Sequence, residues 1–161
     1  MNRRDALKIG MLGTIAYFMD LWPVRAEAPE EAFEIKKTEE EWRAVLTSEQ
    51  FNVLRKEATE PPFKNPYFNN KKPGLYSCAG CDLPLFSSET KYDSHTGWPS
   101  FWKPIEPTAV RTKTDWKLLY PRTEVHCRRC GGHQGHLFDD GPPPTRLRYC
   151  INSAALKFVP K

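Results

Sequence analysis

Apolar residues recur at helical spacing in the stretch TEEEWRAVLTSEQFNVLRKEATE, ahead of the more proline-rich part of the chain. Trp42, Val45 and Leu46 fall on one face of a helix, and Phe51 and Leu54 fall on one face of another. Charged and polar residues occupy the positions between them. The pattern predicts two short helices that cover one side of the fold and pack these apolar residues into the core.

Both helix starts carry a capping signal. Thr38 is followed three residues later by Glu41, and Thr47 is followed three residues later by Gln50. In a capping box the hydroxyl accepts from a backbone N–H of the first turn, while the Glu or Gln side chain accepts from the capping residue's own N–H. We therefore expect the helices to begin just after Thr38 and Thr47.

From Gly74 onward the pattern becomes that of short strands. The runs GLYSC, WKLLY, TEVHC and LRYCIN are rich in strand-forming residues, and glycine and proline separate them. The chain has 15 prolines, which favour loops and short strands over long helices. We expect a mainly β body of antiparallel sheets, with a loop at residues 142–144.

The first residues have the layout of a bacterial export signal. Arg3 and Arg4 precede an apolar run of about 11 residues, too short for the roughly 20 that span a bilayer. The paired arginines resemble a twin-arginine signal, with cleavage expected after Ala26. The predicted organisation is an export signal at 1–26, a linker at 27–37 and one domain at 38–161, in a periplasmic protein. An uncleaved membrane tether and a cytosolic protein with an apolar start are the alternatives.

Composition and charge exclude several classes of protein. The chain has 161 residues, of which 27% are charged and 39% hydrophobic, as in one globular domain. The formal net charge is +4, with both signs interspersed. Without a basic stripe, a nucleic-acid-binding zinc ribbon is disfavoured.

Four of the five cysteines form two C-x-x-C pairs, Cys78 with Cys81 and Cys127 with Cys130. Four thiolates from two such pairs are the ligand set of a closed, tetrahedral structural zinc site. Two disulfides are an alternative, because an exported chain would enter an oxidising compartment. A redox-active C-x-x-C is a second alternative, although the βαβ context of a thioredoxin-like motif is absent.

Cys150, the fifth cysteine, stands alone in RYCIN. A buried cysteine is most often a small apolar residue, but two neighbours argue for more. Arg148 and Asn152 lie two residues before and after it, so on a strand all three side chains share a face. A cation beside a thiol favours the reactive thiolate.

His133 and His136 lie three residues apart, shortly before Asp139-Asp140-Gly141. Histidine can donate or accept a proton near neutral pH, so the pair could serve the same site as Cys150. A second metal site is the alternative. We disfavour it because no third or fourth ligand is evident once the four paired cysteines are used.

Four segments together resemble the methionine-R-sulfoxide reductase family, type B: CAGC, KYDSHTGWPSFWKPI, EVHCRRCGGHQGHLFDDGP and TRLRYCINSAALKF. The resemblance runs from about residue 38 to 158. It implies a small zinc-clamped β fold of the Mss4-like kind, with two N-terminal helices. It also implies thiol-dependent reduction of methionine-R-sulfoxide, mainly in oxidised proteins, as a repair reaction.

The resemblance also implies a role for each site residue. Cys150 would attack the sulfoxide and become a sulfenic acid, His133 and His136 would handle the proton on the sulfoxide oxygen, and Arg148 would favour the thiolate. The remaining implied roles are a polar contact from Asn152, an apolar substrate wall from Trp98 with Phe138 beside it, and one structural Zn²⁺ held by Cys78, Cys81, Cys127 and Cys130.

The chain departs from the family pattern where many members carry a second, resolving cysteine just before GWPSF. Thr96 stands at that place, next to His95, for which we expect a role in a turn. We therefore predict a monomeric one-cysteine enzyme whose sulfenic acid is reduced by a thioredoxin-like protein or a small thiol. Gln134 and Arg146 stand where an apolar residue and a glycine are common. A non-catalytic zinc module of the same fold is the alternative function.

Overall fold

The computed structural model describes residues 32–161, which form two α-helices, two short 3-10 helices and nine strands. The predicted export signal and the start of the predicted linker lie outside the described residues. Within residues 32–161, no helix is both long enough and apolar enough to cross a membrane. The elements in chain order are α1 Glu39–Val45, α2 Ser48–Lys56, β1 Gly74–Cys78, β2 Pro84–Ser87, β3 Lys91–Tyr92, β4 Ser100–Phe101, β5 Val110–Asp115, β6 Arg122–Cys127, β7 His133–Phe138, β8 Arg148–Ile151 and β9 Leu156–Pro160.

The strands form two antiparallel sheets, which confirms the predicted mainly β fold. One sheet has three strands in the order β2-β1-β9, and the other has six in the order β3-β4-β8-β7-β6-β5. Tyr76 of β1, Phe86 of β2 and Phe101 of β4 meet in the core, where the rings of Phe86 and Phe101 stack with centroids 4.5 Å apart. Strand β8, which carries Cys150, runs between β4 and β7 inside the larger sheet.

Both predicted capping boxes are present. The Thr38 hydroxyl accepts from the backbone N–H of Glu41 at 3.2 Å, and the Glu41 carboxylate accepts from the Thr38 N–H at 2.7 Å. Thr47 and Gln50 make the same reciprocal pair at 3.2 and 3.1 Å. These four bonds satisfy N–H groups that the first turn of each helix leaves without an intrahelical partner.

The predicted apolar faces are confirmed except at one position. Trp42, Phe51 and Leu54 are buried, and Leu46 is buried at the end of α1. Val45 is 61% exposed, so its assignment to the buried face is wrong. Helix α1 ends at Val45, and Leu46 adopts an extended conformation that turns its side chain to the core.

One predicted strand is a loop. GLYSC and TEVHC form β1 and most of β6, and LRYCIN contains β8, but WKLLY connects β5 to β6. Pairing of these two strands ends at Asp115 opposite Arg122, and the Asp115 carboxylate accepts from the backbone N–H of Lys117 at 2.9 Å. This turn ends the strand although the residues after it have strand-forming side chains.

The last residues of the predicted linker contact the domain. The backbone N–H of Ile35 donates to the carbonyl of Arg129 at 3.0 Å, and the ring of Phe33 packs edge-on against His126 with centroids 5.8 Å apart. Residues 33–35 therefore lie against the turn that carries Cys127 and Cys130.

Candidate active site

A bulge in β7 brings the two histidines together. Residues three apart on a regular strand point to opposite faces of a sheet. Here β6 and β7 pair Val125 with Gly135 but His126 with His133, so β7 contains one extra residue, Gln134. The rings of His133 and His136 consequently meet edge-on with centroids 5.4 Å apart, as a shared site requires.

Cys150 lies between the histidine strand and the strand that follows Trp98. In the register of the sheet it is opposite His136 on β7 and Ser100 on β4. The close approach of β7 to β8 depends on Gly135, because a Cβ at this position would lie 2.0 Å from the carbonyl oxygen of Cys150. No side chain fits at that distance, so Gly135 sets the spacing between His136 and Cys150.

We predict that Gly135→Ala lowers kcat/KM by about tenfold or more for the sulfoxide reduction that the family resemblance implies. The same change should destabilise the fold by about 1–3 kcal/mol, since the strands must separate. Urea unfolding and steady-state kinetics would measure the two effects. Gly80→Ala is the matched control, because a Cβ there meets its neighbours at 3.5 Å or more, which is ordinary contact. Equal behaviour of the two variants would contradict the proposed close approach.

A cavity of about 120 Å³ opens above Cys150. Trp98, His136, Phe138, Cys150 and Asn152 all line it, together with Thr59, Arg122, Gly135 and Ile151. Five of the seven residues predicted for catalysis or substrate binding therefore meet at one cavity. His133 is buried beside His136, and Arg148 lies along β8 from Cys150 rather than in the cavity wall.

His136 is held by Asp115, a residue that no sequence pattern indicated. Its Nε2 lies 2.8 Å from Oδ2 of Asp115, which also accepts from Arg122 at 2.6 Å. Burial lowers the pKa of His136 more than the carboxylate raises it, so the ring is neutral at neutral pH. The N–H of Lys117, together with His136 and Arg122, outweighs burial and lowers the pKa of Asp115. A neutral ring beside an ionised carboxylate donates through Nε2, which leaves Nδ1 to accept a proton.

His133 faces a second buried carboxylate that no sequence pattern indicated. Its Nδ1 lies 3.0 Å from Oε1 of Glu124, and Lys113 pairs with the other oxygen of Glu124 at 3.0 Å. Burial raises the pKa of Glu124, but His133 and Lys113 together lower it below its ordinary value. Each histidine therefore lies beside its own carboxylate, and each carboxylate is paired with a cation.

Burial dominates the titration of Cys150 and raises its pKa above the ordinary value for a thiol. The charge of Arg148 and hydrogen bonds involving Thr96, Arg148 and Ser100 lower the pKa, but by less. Arg148 thus acts in the predicted direction, while the resting residue is a thiol at neutral pH. Its guanidinium is fixed by two bonds to Asp140, at 2.7 and 2.8 Å, and lies 4.3 Å from the ring centre of Phe138.

Hydroxyl groups surround Cys150 on the side where Thr96 lies. The Ser94 hydroxyl is 2.8 Å from that of Thr96 and 2.7 Å from that of Ser100. The neighbouring His95 has a positive φ of 58° and its side chain is 86% exposed. Its backbone N–H donates to Asp93 at 2.9 Å, so His95 belongs to a turn.

Asn152 lines the cavity, but its amide is already engaged with the backbone. Its Oδ1 accepts from the N–H of Glu60 at 3.1 Å, and its Nδ2 donates to the carbonyl of Gln134 at 3.0 Å. These bonds join β8, the bulge in β7 and the segment that follows α2. Asn152 therefore holds the cavity walls together in addition to lining them.

Glu60 anchors the other side of the cavity, and no sequence pattern indicated this role either. Its carbonyl accepts from Nε1 of Trp98 at 3.0 Å, which fixes the plane of the indole. Its buried carboxylate accepts from the N–H groups of Ser153 and Ala154. Burial raises the pKa of Glu60, while these two N–H groups lower it in part. One residue thus ties Trp98 to the chain just beyond Cys150.

The four paired cysteines form a separate cluster that could hold a metal ion. Their sulfurs all lie within 4.8 Å of one another, and Cys78–Cys130 and Cys81–Cys127 are 3.7 and 3.5 Å apart. Sulfurs around a tetrahedral ion with 2.3 Å bonds would be about 3.8 Å apart, so the donor set fits. A disulfide needs about 2.05 Å, and all five cysteines are free, which argues against the disulfide alternative.

Comparison with known proteins agrees with this geometry. The model of the SelR domain matches residues 46–160, which include every residue of the cavity and of the cysteine cluster. A peptide methionine sulfoxide reductase MsrB of Agrobacterium fabrum is 51% identical over 126 residues, 78% of this chain and 93% of the relative. The chain belongs to the MsrB family. MsrB proteins of Methanosarcina barkeri and Pseudomonas putida are 53% and 54% identical over 77% and 79% of this chain, and 87% and 96% of their own lengths.

Proposed function

We propose that this MsrB-family protein reduces methionine-R-sulfoxide in oxidised proteins to methionine, with Cys150 as the nucleophile. The observation that carries the proposal is the cavity of about 120 Å³, where the thiol lies opposite a neutral His136 and beside Trp98 and Phe138. An aromatic wall suits the substrate's methyl group, and an imidazole suits its oxygen. Membership of a family whose relatives are named for this reaction supports the same conclusion.

His136 can carry a proton between two atoms of the reaction, the Cys150 sulfur and the sulfoxide oxygen. Its Nε2–H points to Asp115, so Nδ1 can accept the thiol proton and deliver it to the sulfoxide oxygen, which is the basic atom of the substrate. Asp115 stabilises the imidazolium that forms in between. His133, which lies beside Glu124, would supply a further polar contact next to His136.

The chemical step balances without a metal or an added cofactor. The Cys150 thiolate attacks the protonated sulfoxide, oxygen passes to the Cys150 sulfur, and methionine leaves. The substrate sulfur gains two electrons, and Cys150 becomes a sulfenic acid. Two external thiols then return Cys150 to the thiol, releasing water and one disulfide. Thr96 and Ser100 are positioned to hydrogen-bond to the sulfur through this cycle.

The same walls account for selection of one epimer. The sulfoxide sulfur is chiral, so only one epimer can place its methyl group against the aromatic wall and its oxygen against the imidazole at the same time. In the wrong epimer the oxygen faces an aromatic ring and loses its hydrogen bond. That loss costs about 1–3 kcal/mol, or roughly tenfold to hundredfold in kcat/KM.

We further propose that the cysteine cluster holds one structural Zn²⁺. Four sulfurs at tetrahedral spacing fill the coordination sphere, so the ion would serve the fold and not the reaction. The Nε2 of Gln134 lies 3.5 Å from Sγ of Cys78, a contact that suits a thiolate ligand. All four ligands are then committed, and only Cys150 remains for catalysis.

The recycling thiol must therefore come from outside the chain. Thr96 provides a hydroxyl where many family members carry a resolving cysteine, which supports a one-cysteine cycle that uses a thioredoxin-like protein or a small thiol. Export to the periplasm and a monomeric state complete the proposal, and the export part rests on the sequence of residues 1–26.

The proposal is tested with the zinc-loaded protein, dithiothreitol and a peptide that carries either R- or S-methionine sulfoxide. We expect loss of the R epimer alone, with one methionine formed per sulfoxide consumed, measured by chiral chromatography. Consumption of neither epimer by folded, zinc-loaded protein would favour the non-catalytic zinc module. Equal consumption of both would contradict the proposed wall arrangement.

A further inference from the structure

Residues 116–120, WKLLY, form an exposed apolar loop between β5 and β6. Trp116 is 72% exposed, Leu119 is fully exposed, and Leu118 and Tyr120 are exposed as well. Contiguous apolar groups on a protein surface mark interaction sites, and tryptophan and tyrosine are the side chains that most often anchor them. The strand-forming character of this loop is not used by either sheet of the described chain.

The apolar loop is continuous with the candidate active site. It begins directly after Asp115, which holds His136, and Pro121 connects it to Arg122, which lines the cavity. The pairing of Asp115 with Arg122 at 2.6 Å closes the base of the loop. Both ends of the loop therefore adjoin residues of the candidate active site, which places the loop next to the cavity rim.

The size of the cavity determines which parts of a peptide substrate must stay outside it. A volume of about 120 Å³ takes one side chain, so the residues on either side of a methionine sulfoxide must stay outside. Methionine belongs to the interior of proteins, and unfolding that exposes it exposes other apolar residues with it. Apolar residues next to the oxidised methionine would find apolar partners in the loop.

We infer that the apolar loop of residues 116–120 is a docking surface for apolar residues flanking methionine sulfoxide in unfolded polypeptide segments. The inference rests on the proposed function and specifies its substrate: an oxidised methionine with leucine-like neighbours, in preference to the free amino acid or a polar peptide. Apolar contact at the rim adds binding energy that a free methionine sulfoxide cannot obtain.

Charge argues against an anionic membrane as the occupant. Lys117, the one cation within the loop sequence, is paired with Glu57, and Arg122 at its base is paired with Asp115. These cations are neutralised, whereas surfaces that bind anionic lipids present unpaired ones. A second copy of the chain would cover the rim and compete with substrate, which steady-state kinetics would detect.

The test compares three R-sulfoxide substrates: a peptide with leucines on both sides of the methionine sulfoxide, the same peptide with glycines, and N-acetylmethionine sulfoxide. For the full zinc-loaded chain we expect kcat/KM to be about tenfold higher for the leucine peptide than for the glycine peptide. Replacement of Leu118 and Leu119 by serine should bring that ratio close to one. Val45→Ser, an exposed apolar residue on α1, is the matched control and should keep the ratio.

The outcomes separate this inference from the proposed function. Failure to consume any R-sulfoxide defeats the proposed function itself. Consumption with equal kcat/KM for both peptides, or a ratio that survives the double replacement, overturns the docking surface alone. The docking surface is overturned equally if the double replacement abolishes binding to phosphatidylglycerol vesicles, or dimerisation in sedimentation experiments, without changing the peptide ratio.

Discussion

Replacing Cys150 by serine is expected to abolish turnover of methionine-R-sulfoxide, lowering kcat by at least about 10³-fold. The serine hydroxyl is a far weaker nucleophile towards sulfur and has no sulfenic acid state to carry the oxygen. The hydroxyl occupies nearly the same space, so the fold should persist. Turnover with dithiothreitol and the melting temperature measured by circular dichroism would report the two effects separately.

The pH dependence of Cys150 alkylation tests a second property of this residue, the pKa of its thiol. Burial favours the neutral thiol, so its pKa lies above the ordinary value and the thiolate fraction at neutral pH is small. Alkylation by iodoacetamide should therefore accelerate steadily as the pH rises from 6 to beyond about 9, without a plateau near neutrality. Arg148→Met removes a lowering influence and should slow alkylation further at every pH in this range. A plateau near pH 6–7 would contradict the assignment of a resting thiol.

A resting thiol at Cys150 provides a source for the proton that the sulfoxide oxygen needs. A thiol that keeps its proton until substrate arrives can pass that proton through His136 to the sulfoxide oxygen. In the proposed mechanism, the buried thiol, the neutral imidazole and the ionised Asp115 would form one proton path. A permanently ionised Cys150 would need the proton from elsewhere.

Local chemistry was the part of the molecule that the sequence predicted well. Capping boxes involve residues three apart, and the alternation of a strand places Arg148 and Cys150 on one side, so near neighbours in sequence sufficed. The cysteine cluster was predicted because C-x-x-C spacing carries its own geometry. The resemblance to the MsrB family supplied Trp98 and Phe138, which no local pattern distinguishes from core aromatics.

The contacts that orient the site could not be predicted, because they join residues distant in the sequence. Asp115 lies 21 residues before His136, and Glu60 is 38 residues from Trp98 and 92 from Asn152. A lone carboxylate in the sequence is most simply interpreted as a solvated surface group. The bulge at Gln134 also has no signal of its own, yet without it His133 and His136 would face opposite sides of the sheet.

The exposed loop of residues 116–120 shows a different limit of prediction from sequence. Strand propensity describes side chains that suit a half-buried pleated surface, and WKLLY has such side chains. Whether a run is a strand depends on a partner strand, and the hydrogen bond from Lys117 to Asp115 ends the pairing before the run begins. Residues 116–120, which the pattern predicted to be a strand, are instead the exposed loop beside the candidate active site.

The largest effect on stability is expected from loss of the metal. Cys78 ends β1 in the three-stranded sheet, and Cys127 ends β6 in the six-stranded sheet, so a shared ion would join the two sheets. Binding energy at a site that exists only in the folded chain is folding energy. Cys127→Ser should therefore lose zinc and lower the melting temperature by more than about 10 °C. Zinc released on unfolding and the thermal transition would be measured on the same samples.

Cys150→Ser is the matched control for this experiment, because it removes a thiol without touching the cluster. It should retain one zinc per chain and a melting temperature close to that of the unchanged protein, while Cys127→Ser loses both. The two serine variants then separate the roles of the cysteines: one removes the reaction and keeps the fold, the other removes the clamp between the sheets. If Cys127→Ser kept a full equivalent of zinc and its stability, the ion would have to be held elsewhere, and the four-sulfur site would be wrong.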